Sequence, residues 1–266
     1  MIKAAVLGSP ITHSLSPKIH LRAYEILGLK ASYEAIEISE ETFPKFFDNL
    51  QTEDSSGPWS GFSLTMPLKE IVLRNCQNAD AITTAIDSGN TLYKSQGSWQ
   101  VTSTDYLASR KLINVPANAK VAIIGGGGTA RAAIGALNSK VEKVDVLLRS
   151  ENRMAGMRKA APNLTVNMLE MSAGLDPYDF IIQTTPAGVF DDYLENVKRA
   201  NGVLFEALYK PWPTKFAQHY KTLGGKVISG KELLVEQALY QIELFSGSKF
   251  SFEEMRLNLL DFISRD

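Results

Sequence analysis

The sequence predicts an α/β protein of two domains. Short apolar runs alternate with amphipathic stretches along the whole chain, which is the pattern of α/β proteins. A strand–glycine–helix pattern typical of a domain's start appears only in the middle of the chain. The 266 residues, of which 44% are hydrophobic, suffice for one large core or two modest ones. The first hundred residues are therefore interpreted as a domain of their own.

The first part of the chain alternates between strand and helix patterns. A helix is predicted over 16–28 because Ser16 is a suitable N-cap and Gly28 a suitable terminator. The alternation of "SYEAIEI" is typical of a strand. The predicted elements are strands at 2–8, 32–38 and 59–65, helices at 16–28 and 42–50, and a hairpin over 89–104 that turns near Gln96 and Gly97.

A second α/β series follows the breaker residues of "NVPANAK" in the region 105–118. Its strands are short and rich in Val and Ile, as expected for a buried parallel sheet. The predicted elements are strands at 120–125, 143–149, 164–168, 179–185, 202–208 and 226–229, and helices at 128–138, 151–160, 231–247 and 252–264.

Composition and charge exclude several classes of function. The net charge is −1 without a long run of one sign, so we expect no nucleic-acid partner. The single cysteine, Cys76, excludes a disulfide framework, and His13, His20 and His219 lack metal-ligand spacing, so we expect no metal. The N-terminal apolar run is short for a signal peptide and no stretch reaches membrane-spanning length. We expect a cytoplasmic protein without a membrane partner.

The run "VAIIGGGGTARAA" at 121–133 predicts a dinucleotide-binding unit. Gly125, Gly127 and Ala130 match G-x-G-x-x-A, and the run follows a Val/Ile strand and opens a helix, which is the context that the fingerprint requires. Such glycines let backbone N–H groups approach a pyrophosphate at a helix N-terminus. The pattern predicts a Rossmann-type parallel sheet, although a tight glycine turn without a ligand would look similar.

The end of the following strand favours NADP over NAD. An NAD site usually has Asp or Glu there, whereas this strand ends with Arg149 and Ser150, and Arg153 follows one turn later. Guanidinium groups suit a 2′-phosphate. Asp145 lies too early for the acidic role, and Glu151 is nearby. The alternative is that both arginines are solvated residues at a helix start.

Three earlier segments carry candidate functional side chains. Ser14 and Ser16 precede a helix and could bind a carboxylate at its positive end, or serve as loop and N-cap residues. Lys69 falls near the start of a helix, where a cation is electrostatically misplaced, although most such lysines are surface residues. Asp105 is interpreted as a helix cap at the domain boundary, or as a carboxylate that works with a lysine in proton transfer.

Seven motifs, taken together and in order, resemble the shikimate dehydrogenase family, and the resemblance spans nearly the whole chain. The family's G-x-P-x-x-H-S-x-S-P is matched by "GSPITHSLSP" at every fixed position. The remaining matches are "SLTMPLK" (63–69), "GNT" (89–91), "STD" (103–105), "GGGGTARA" (125–132), "YKPWPT" (209–214) and "GKELLVEQA" (230–238). The sequence departs from the family pattern at Ser103, where Asn is usual, and at Lys210.

The resemblance implies a role for each matching position. Lys69 and Asp105 would be the catalytic pair, with Lys69 the proton donor and acceptor. The substrate would be bound by Ser14, Ser16, Thr65, Asn90, Asp105, Tyr209 and Gln237. The cofactor would be bound by Gly125, Gly126, Gly127, Gly128, Thr129, Ala130, Arg149, Ser150, Arg153, Thr184, Thr185, Ala207 and Gly230.

The resemblance also implies the domains and the reaction. Residues 1–104 would form a substrate-binding domain on which helices within 238–266 pack, and 105–237 a Rossmann-type NADP-binding domain. The reaction would be the reversible reduction of 3-dehydroshikimate to shikimate by NADPH, by a monomer or a homodimer with a small-molecule substrate. The alternatives are a quinate/shikimate dehydrogenase that uses NAD, a folate-linked dehydrogenase, and a non-catalytic NADP-binding sensor.

Overall fold

The protein, described here by a computed structural model for residues 1–52 and 59–265, has the predicted α/β class. The chain divides into two compact units. The first unit comprises Met1–Thr104 and Val235–Asp266, of which Asp266 lies outside the described residues, and the second comprises Asp105–Leu234. In the described ranges, no helix is long and apolar enough to cross a membrane.

The first unit is built on a five-stranded mixed sheet. The strands are β1 (Ile2–Gly8), β2 (Ala31–Glu37), β3 (Gly61–Leu64), β4 (Thr91–Ser95) and β5 (Ser98–Thr102). Their order is β2-β1-β3-β4-β5, in which β1 pairs in parallel with β2 and β3, whereas β4 is antiparallel to both neighbours. The predicted hairpin is confirmed, because Gln96 and Gly97 both adopt positive φ, at 50° and 79°.

Among the described residues, six helices lie wholly or partly in this unit. They are α1 (Ser16–Ile26), α2 (Phe43–Thr52), α3 (Leu68–Asn75), α4 (Ala81–Ile86), α9 (Gly230–Ser246) and α10 (Phe252–Ser264). α1 packs against α10, and Ile19, Leu259 and Ile263 are fully buried. His20, also fully buried, stacks on Tyr33 of β2 with 4.1 Å between the ring centroids. The two C-terminal helices therefore complete the core of the first unit.

Two predicted helix caps are wrong, because both residues lie inside the first turn of their helix. Ser16 is the first residue of α1 and Leu15 is its N-cap, because the Ser16 N–H already bonds the Ser14 Oγ at 3.2 Å. α5 (Thr104–Leu112) begins before Asp105, which lies inside its first turn. The predicted terminator Gly28 is confirmed by its φ of +66°.

The second unit contains a six-stranded parallel sheet. The strands are β6 (Val121–Ile124), β7 (Lys143–Leu147), β8 (Thr165–Leu169), β9 (Phe180–Gln183), β10 (Val203–Glu206) and β11 (Lys226–Ile228). Their order is β8-β7-β6-β9-β10-β11, and every pair is parallel. This is the doubly wound order of dinucleotide-binding folds, so the predicted Rossmann-type sheet is confirmed. The direction of winding reverses between β6 and β9, where such sheets bind ligands.

Short helices connect these strands. They are α5, α6 (Gly128–Leu137), α7 (Met154–Ala160), α8 (Lys215–Thr222) and two 3₁₀ helices, Glu151–Arg153 and Asp191–Asn196. The sequence patterns did not predict α4 and α8, which have only six and eight residues. Each has a side-chain cap that was visible in the sequence: Asp80 accepts from the Thr83 N–H, and Thr214 accepts from the Ala217 N–H.

Candidate active site

One edge of the first unit's sheet collects six predicted functional side chains. The carboxyl ends of β1 and β3 meet the amino end of the antiparallel β4 there. Backbone bonds join the segments: Ser9 N to Met66 O at 3.1 Å, and Gly89 N to Lys69 O at 2.8 Å. We call this set the substrate-side cluster; its members are Ser14, Ser16, Thr65, Lys69, Asn90 and Gln237.

Ser14 and Ser16 lie at the N-terminal end of α1. Leu15, the N-cap, provides no side-chain hydrogen bond to the first turn. The hydroxyls of Ser14 and Ser16 lie beside the positive end of this eleven-residue helix, and Ser14 Oγ accepts the Ser16 N–H at 3.2 Å. Ser16 is 5% exposed and Ser14 is half-buried, so both lie below the surface. The arrangement suits a small anionic group such as a carboxylate.

Lys69 lies in the first turn of α3, as predicted from Pro67, which is the N-cap. The helix dipole disfavours a cation at this end. A side chain that breaks a local preference in this way is expected at functional sites. The neighbouring segment is close: a Cβ at Gly89 would come within 2.3 Å of the Val101 Cγ1. Only glycine therefore allows the contact that fixes the Lys69 backbone.

The side chain of Asn90 joins two distant parts of the first unit. Its Nδ2 donates to Thr104 Oγ1 at 2.9 Å and to Gln237 Oε1 at 3.2 Å. Its Oδ1 accepts from the Thr104 N–H at 2.7 Å. The structure therefore brings Asn90 and Gln237 together, although they are 147 residues apart. Asp105, which is 5% exposed, directly follows Thr104 in the chain.

Gln241, which the sequence did not single out, hydrogen-bonds residues within and beside this cluster. It is fully buried, and its Nε2 donates to the Asn90 carbonyl at 3.2 Å and to Thr91 Oγ1 at 2.9 Å. Its Oε1 accepts from Ser63 Oγ at 2.7 Å and lies 3.3 Å from His20 Nε2. Its i, i+4 spacing from Gln237 on α9 was the available signal.

His20 is an uncharged member of this buried network. Burial lowers the pKa of its imidazole to about 3, and the hydrogen bond to Gln241 raises it only in part. Its Nδ1 lies 3.3 Å from the Tyr24 hydroxyl. A neutral imidazole with both nitrogens engaged serves structure rather than proton transfer.

The glycine run of the second unit forms an open cradle at the start of α6. Gly125 has φ of +105°, and a Cβ at Gly126 would lie 2.7 Å from the Arg153 Cβ. A Cβ at Gly127, the N-cap of α6, would meet nothing within 4 Å. The first two glycines are therefore required by the backbone and by packing, whereas the third leaves space at the helix N-terminus for an anion.

The end of β7 presents cations and no strand-end carboxylate. β7 ends at Leu147, and Arg149, Ser150 and Arg153 are exposed beyond it. Arg153 lies directly against the glycine loop through its Cβ. Asp145 is bound inside the sheet by Asn167 at 2.8 Å and by the Tyr178 hydroxyl at 2.9 Å. Asp145 is thereby removed from the role that an acidic residue has in NAD sites.

Loops after β9 and β10 border the same sheet edge. Thr184 Oγ1 donates to the Ile124 carbonyl at 2.8 Å, and a Cβ at Gly125 would lie 2.6 Å from that hydroxyl. Gln183, missed in the sequence, accepts from the Thr185 N–H at 3.0 Å. Ala207 N donates to the Gln183 carbonyl at 2.9 Å. Gly230 has no room for a Cβ, because Leu208 carbonyl atoms are 2.4 Å away.

The second unit therefore gathers its predicted residues at the point where the sheet reverses. Across the described part of the chain, no group of three or more His, Cys, Asp and Glu side chains could hold a metal ion. Dinucleotide-binding folds hold their ligand at this point of the sheet.

Comparisons with known proteins agree with this geometry. The family profile described as "Shikimate dehydrogenase substrate binding domain" matches residues 6–92. A protein of Exiguobacterium named shikimate dehydrogenase (NADP(+)) is 31% identical over 251 residues, which cover 92% of this chain and 93% of that protein. The profile match lies within the first unit, whereas the match to the Exiguobacterium protein spans both units.

Solved structures give the same result. Shikimate dehydrogenase of Mycobacterium tuberculosis superposes with a TM-score of 0.86 at 31% identity, covering 99% of this chain and 100% of the other. Shikimate 5-dehydrogenase of Thermus thermophilus, in complex with NADP(H) and shikimate, superposes with a TM-score of 0.82 at 26% identity, covering 98% and 99% of the two chains. This chain belongs to the shikimate dehydrogenase family.

Proposed function

We propose that this protein catalyses the reversible, NADP-dependent oxidation of shikimate to 3-dehydroshikimate. The observation that carries the proposal is its 31% identity, over 92% of the chain, to a relative named shikimate dehydrogenase (NADP(+)). The Thermus thermophilus structure with NADP(H) and shikimate bound provides further support. Quinate with NAD is the less favoured alternative, since the strand end that would bind the cofactor's ribose carries Arg149.

In this proposal the substrate-side cluster binds shikimate. Ser14 and Ser16 receive the carboxylate, since two hydroxyls at a helix N-terminus complement its charge. Hydrogen bonds to the ring hydroxyl groups or the carboxylate come from Thr65, Asn90, Tyr209 and Gln237. Because Asn90 and Gln237 already hydrogen-bond each other at 3.2 Å, each orients the other for the substrate.

The glycine loop and its neighbours fit NADP. The space beside Gly127 at the start of α6 accommodates a pyrophosphate, together with the first-turn residues Thr129 and Ala130. Arg149, Ser150 and Arg153 would hold the 2′-phosphate, and Thr184, Thr185, Ala207 and Gly230 would line the nicotinamide. The bound nucleotide supplies the hydride acceptor in one direction and the donor in the other.

Lys69 handles the proton in this proposal. Oxidation of the C3 carbinol to a ketone removes a hydride from carbon and a proton from the hydroxyl oxygen. A neutral Lys69 amine takes that proton, and the ammonium returns it to the carbonyl oxygen in the reverse direction. The carboxylate of Asp105, which can accept but not donate hydrogen bonds, holds the substrate hydroxyl or the lysine in place.

The test is an assay of the purified protein with shikimate or quinate, each paired with NADP or NAD. We expect rapid formation of reduced nicotinamide with shikimate and NADP. Preference for quinate or NAD would contradict the substrate or cofactor assignment. Measurable NADPH binding without turnover of any pair would instead favour a sensor.

A further inference from the structure

A buried carboxylate anchors both ends of the segment that follows β10. We call residues 207–214 the Tyr209 segment. Glu206, which is fully buried, accepts the Leu208 N–H at Oε1 at 3.3 Å. At Oε2 it accepts the Thr214 hydroxyl at 2.9 Å. One side chain therefore bonds the second residue and the last residue of the Tyr209 segment.

The Thr214 hydroxyl can donate to Glu206 because its other role is that of an acceptor. As N-cap of α8 it accepts the Ala217 N–H at 3.0 Å, so its single proton remains available. The end of the Tyr209 segment is thus linked to α8 on one side and to β10 on the other. Burying a carboxylate costs free energy unless hydrogen bonds replace its hydration, and here the Leu208 N–H and the Thr214 hydroxyl supply two such bonds.

Two further contacts limit how the Tyr209 segment can move. Ala207 N donates to Gln183 O at 2.9 Å, and the start of α9 lies against Ala207 and Leu208 at Gly230, where no Cβ fits. Tyr209 and Lys210 lie between the two anchors. Tyr209 is half-buried and Lys210 is exposed. The backbone on both sides of Tyr209 is therefore held by groups outside the segment.

We propose that Glu206 is a positioning residue that sets the orientation of Tyr209 toward the substrate. The proposal rests on the proposed function, in which Tyr209 hydrogen-bonds shikimate. Glu206 itself touches no reacting atom in this proposal and acts through the Tyr209 segment.

The test is a double-mutant cycle of E206Q and Y209F with shikimate and NADP. The amide nitrogen of glutamine cannot accept, so one of the two anchors is lost without a change of size. We expect E206Q to raise KM for shikimate about tenfold, the effect of losing one charge-assisted hydrogen bond, with a smaller change in kcat. In the Y209F background, E206Q should add less than about twofold, because the group it positions is already absent.

Additive effects would overturn the proposal, since Glu206 would then act by another route. An unchanged KM in Y209F would overturn it as well. Both outcomes leave the proposed function standing if the wild-type protein oxidises shikimate. Wild-type protein that binds NADPH but does not turn over shikimate would overturn both proposals together.

Variants at Thr214 keep the test decisive if E206Q does not fold. T214S retains the hydroxyl and should have a KM close to that of the wild type. T214V lacks the hydroxyl and should show the same rise in KM that we expect for E206Q. Because T214V also removes a helix cap, S251A is the matched control. Ser251 caps α10 by accepting from the Glu254 N–H, far from the Tyr209 segment in sequence. A similar KM in S251A and T214V would contradict the proposal.

Discussion

Lys69 lies at the end of α3 where a positive charge is least stable. We predict that K69A lowers kcat by about 10²–10⁴-fold, the usual contribution of a positioned proton donor or acceptor. NADP binding, measured by nucleotide fluorescence or calorimetry, should stay within about twofold because the glycine loop is unaltered. The matched control is K45A, which removes an exposed lysine from α2 of the same unit. Turnover near the wild-type level in K69A would exclude its proton-transfer role.

A substitution of Arg149 tests which nicotinamide nucleotide the protein prefers. Reversing its charge in R149D should weaken the binding of NADP and strengthen the binding of NAD. A carboxylate repels the 2′-phosphate and can accept hydrogen bonds from ribose hydroxyl groups. The readout is the ratio of kcat/KM for the two nucleotides, which should shift toward NAD by about tenfold or more. R158D is the control, since Arg158 is an exposed arginine on α7. An equal ratio in R149D and wild type would place the phosphate elsewhere.

α9 is the element on which the first unit's polar network depends. Gln241 Oε1 accepts the Ser63 hydroxyl and pairs with His20 Nε2 within the core, and both of these groups would lose that partner in a leucine variant. We predict that Q241L lowers the free energy of unfolding by about 3 kcal/mol, since each buried polar group left unsatisfied costs about 1–3 kcal/mol. Urea unfolding followed by circular dichroism measures this. Q218L, at an exposed position of α8, should change stability little; an equal effect in both variants would contradict the prediction.

α9 also contains a residue that the sequence alone did not predict to be important. The strands of both sheets were predicted within a few residues because short apolar runs and apolar–polar alternation report burial locally. Gln241 was missed, since its partners lie 150 and 178 residues away and no local pattern encodes them. The caps at Ser16 and Asp105 were misplaced because a capping residue and a first-turn residue look alike in sequence. The cluster members came from motifs, which locate residues but not their partners.

On the scale of the whole molecule, each unit buries a group that titrates in the opposite sense. Burial raises the pKa of Glu206 in the second unit to about 7 from 4.5, and the charge of Asp191 adds to this rise, against the bonds from Thr214 and Leu208. Burial lowers the pKa of His20 in the first unit to about 3 from 6.5. The native state thus binds the Glu206 proton more tightly than the unfolded chain, and the His20 proton more weakly.

The two groups therefore predict opposite pH dependences of stability. The Glu206 contribution is full below its unfolded pKa of 4.5 and is lost as pH rises through about 7. The His20 contribution is full above 6.5 and is lost as pH falls toward about 3. Each slope is about 1.4 kcal/mol per pH unit between the folded and unfolded pKa values.

Comparison with single variants isolates each slope, because the other titrating groups cancel. Relative to wild type, E206Q should gain stability as pH rises from 4.5 to about 7, by about 3 kcal/mol in all. H20N should gain stability relative to wild type as pH falls from 6.5. The two plots of stability difference against pH should therefore slope in opposite directions. Urea unfolding at a series of pH values measures both. A difference curve that stays flat would mean that the group has a similar pKa in the folded and unfolded chain.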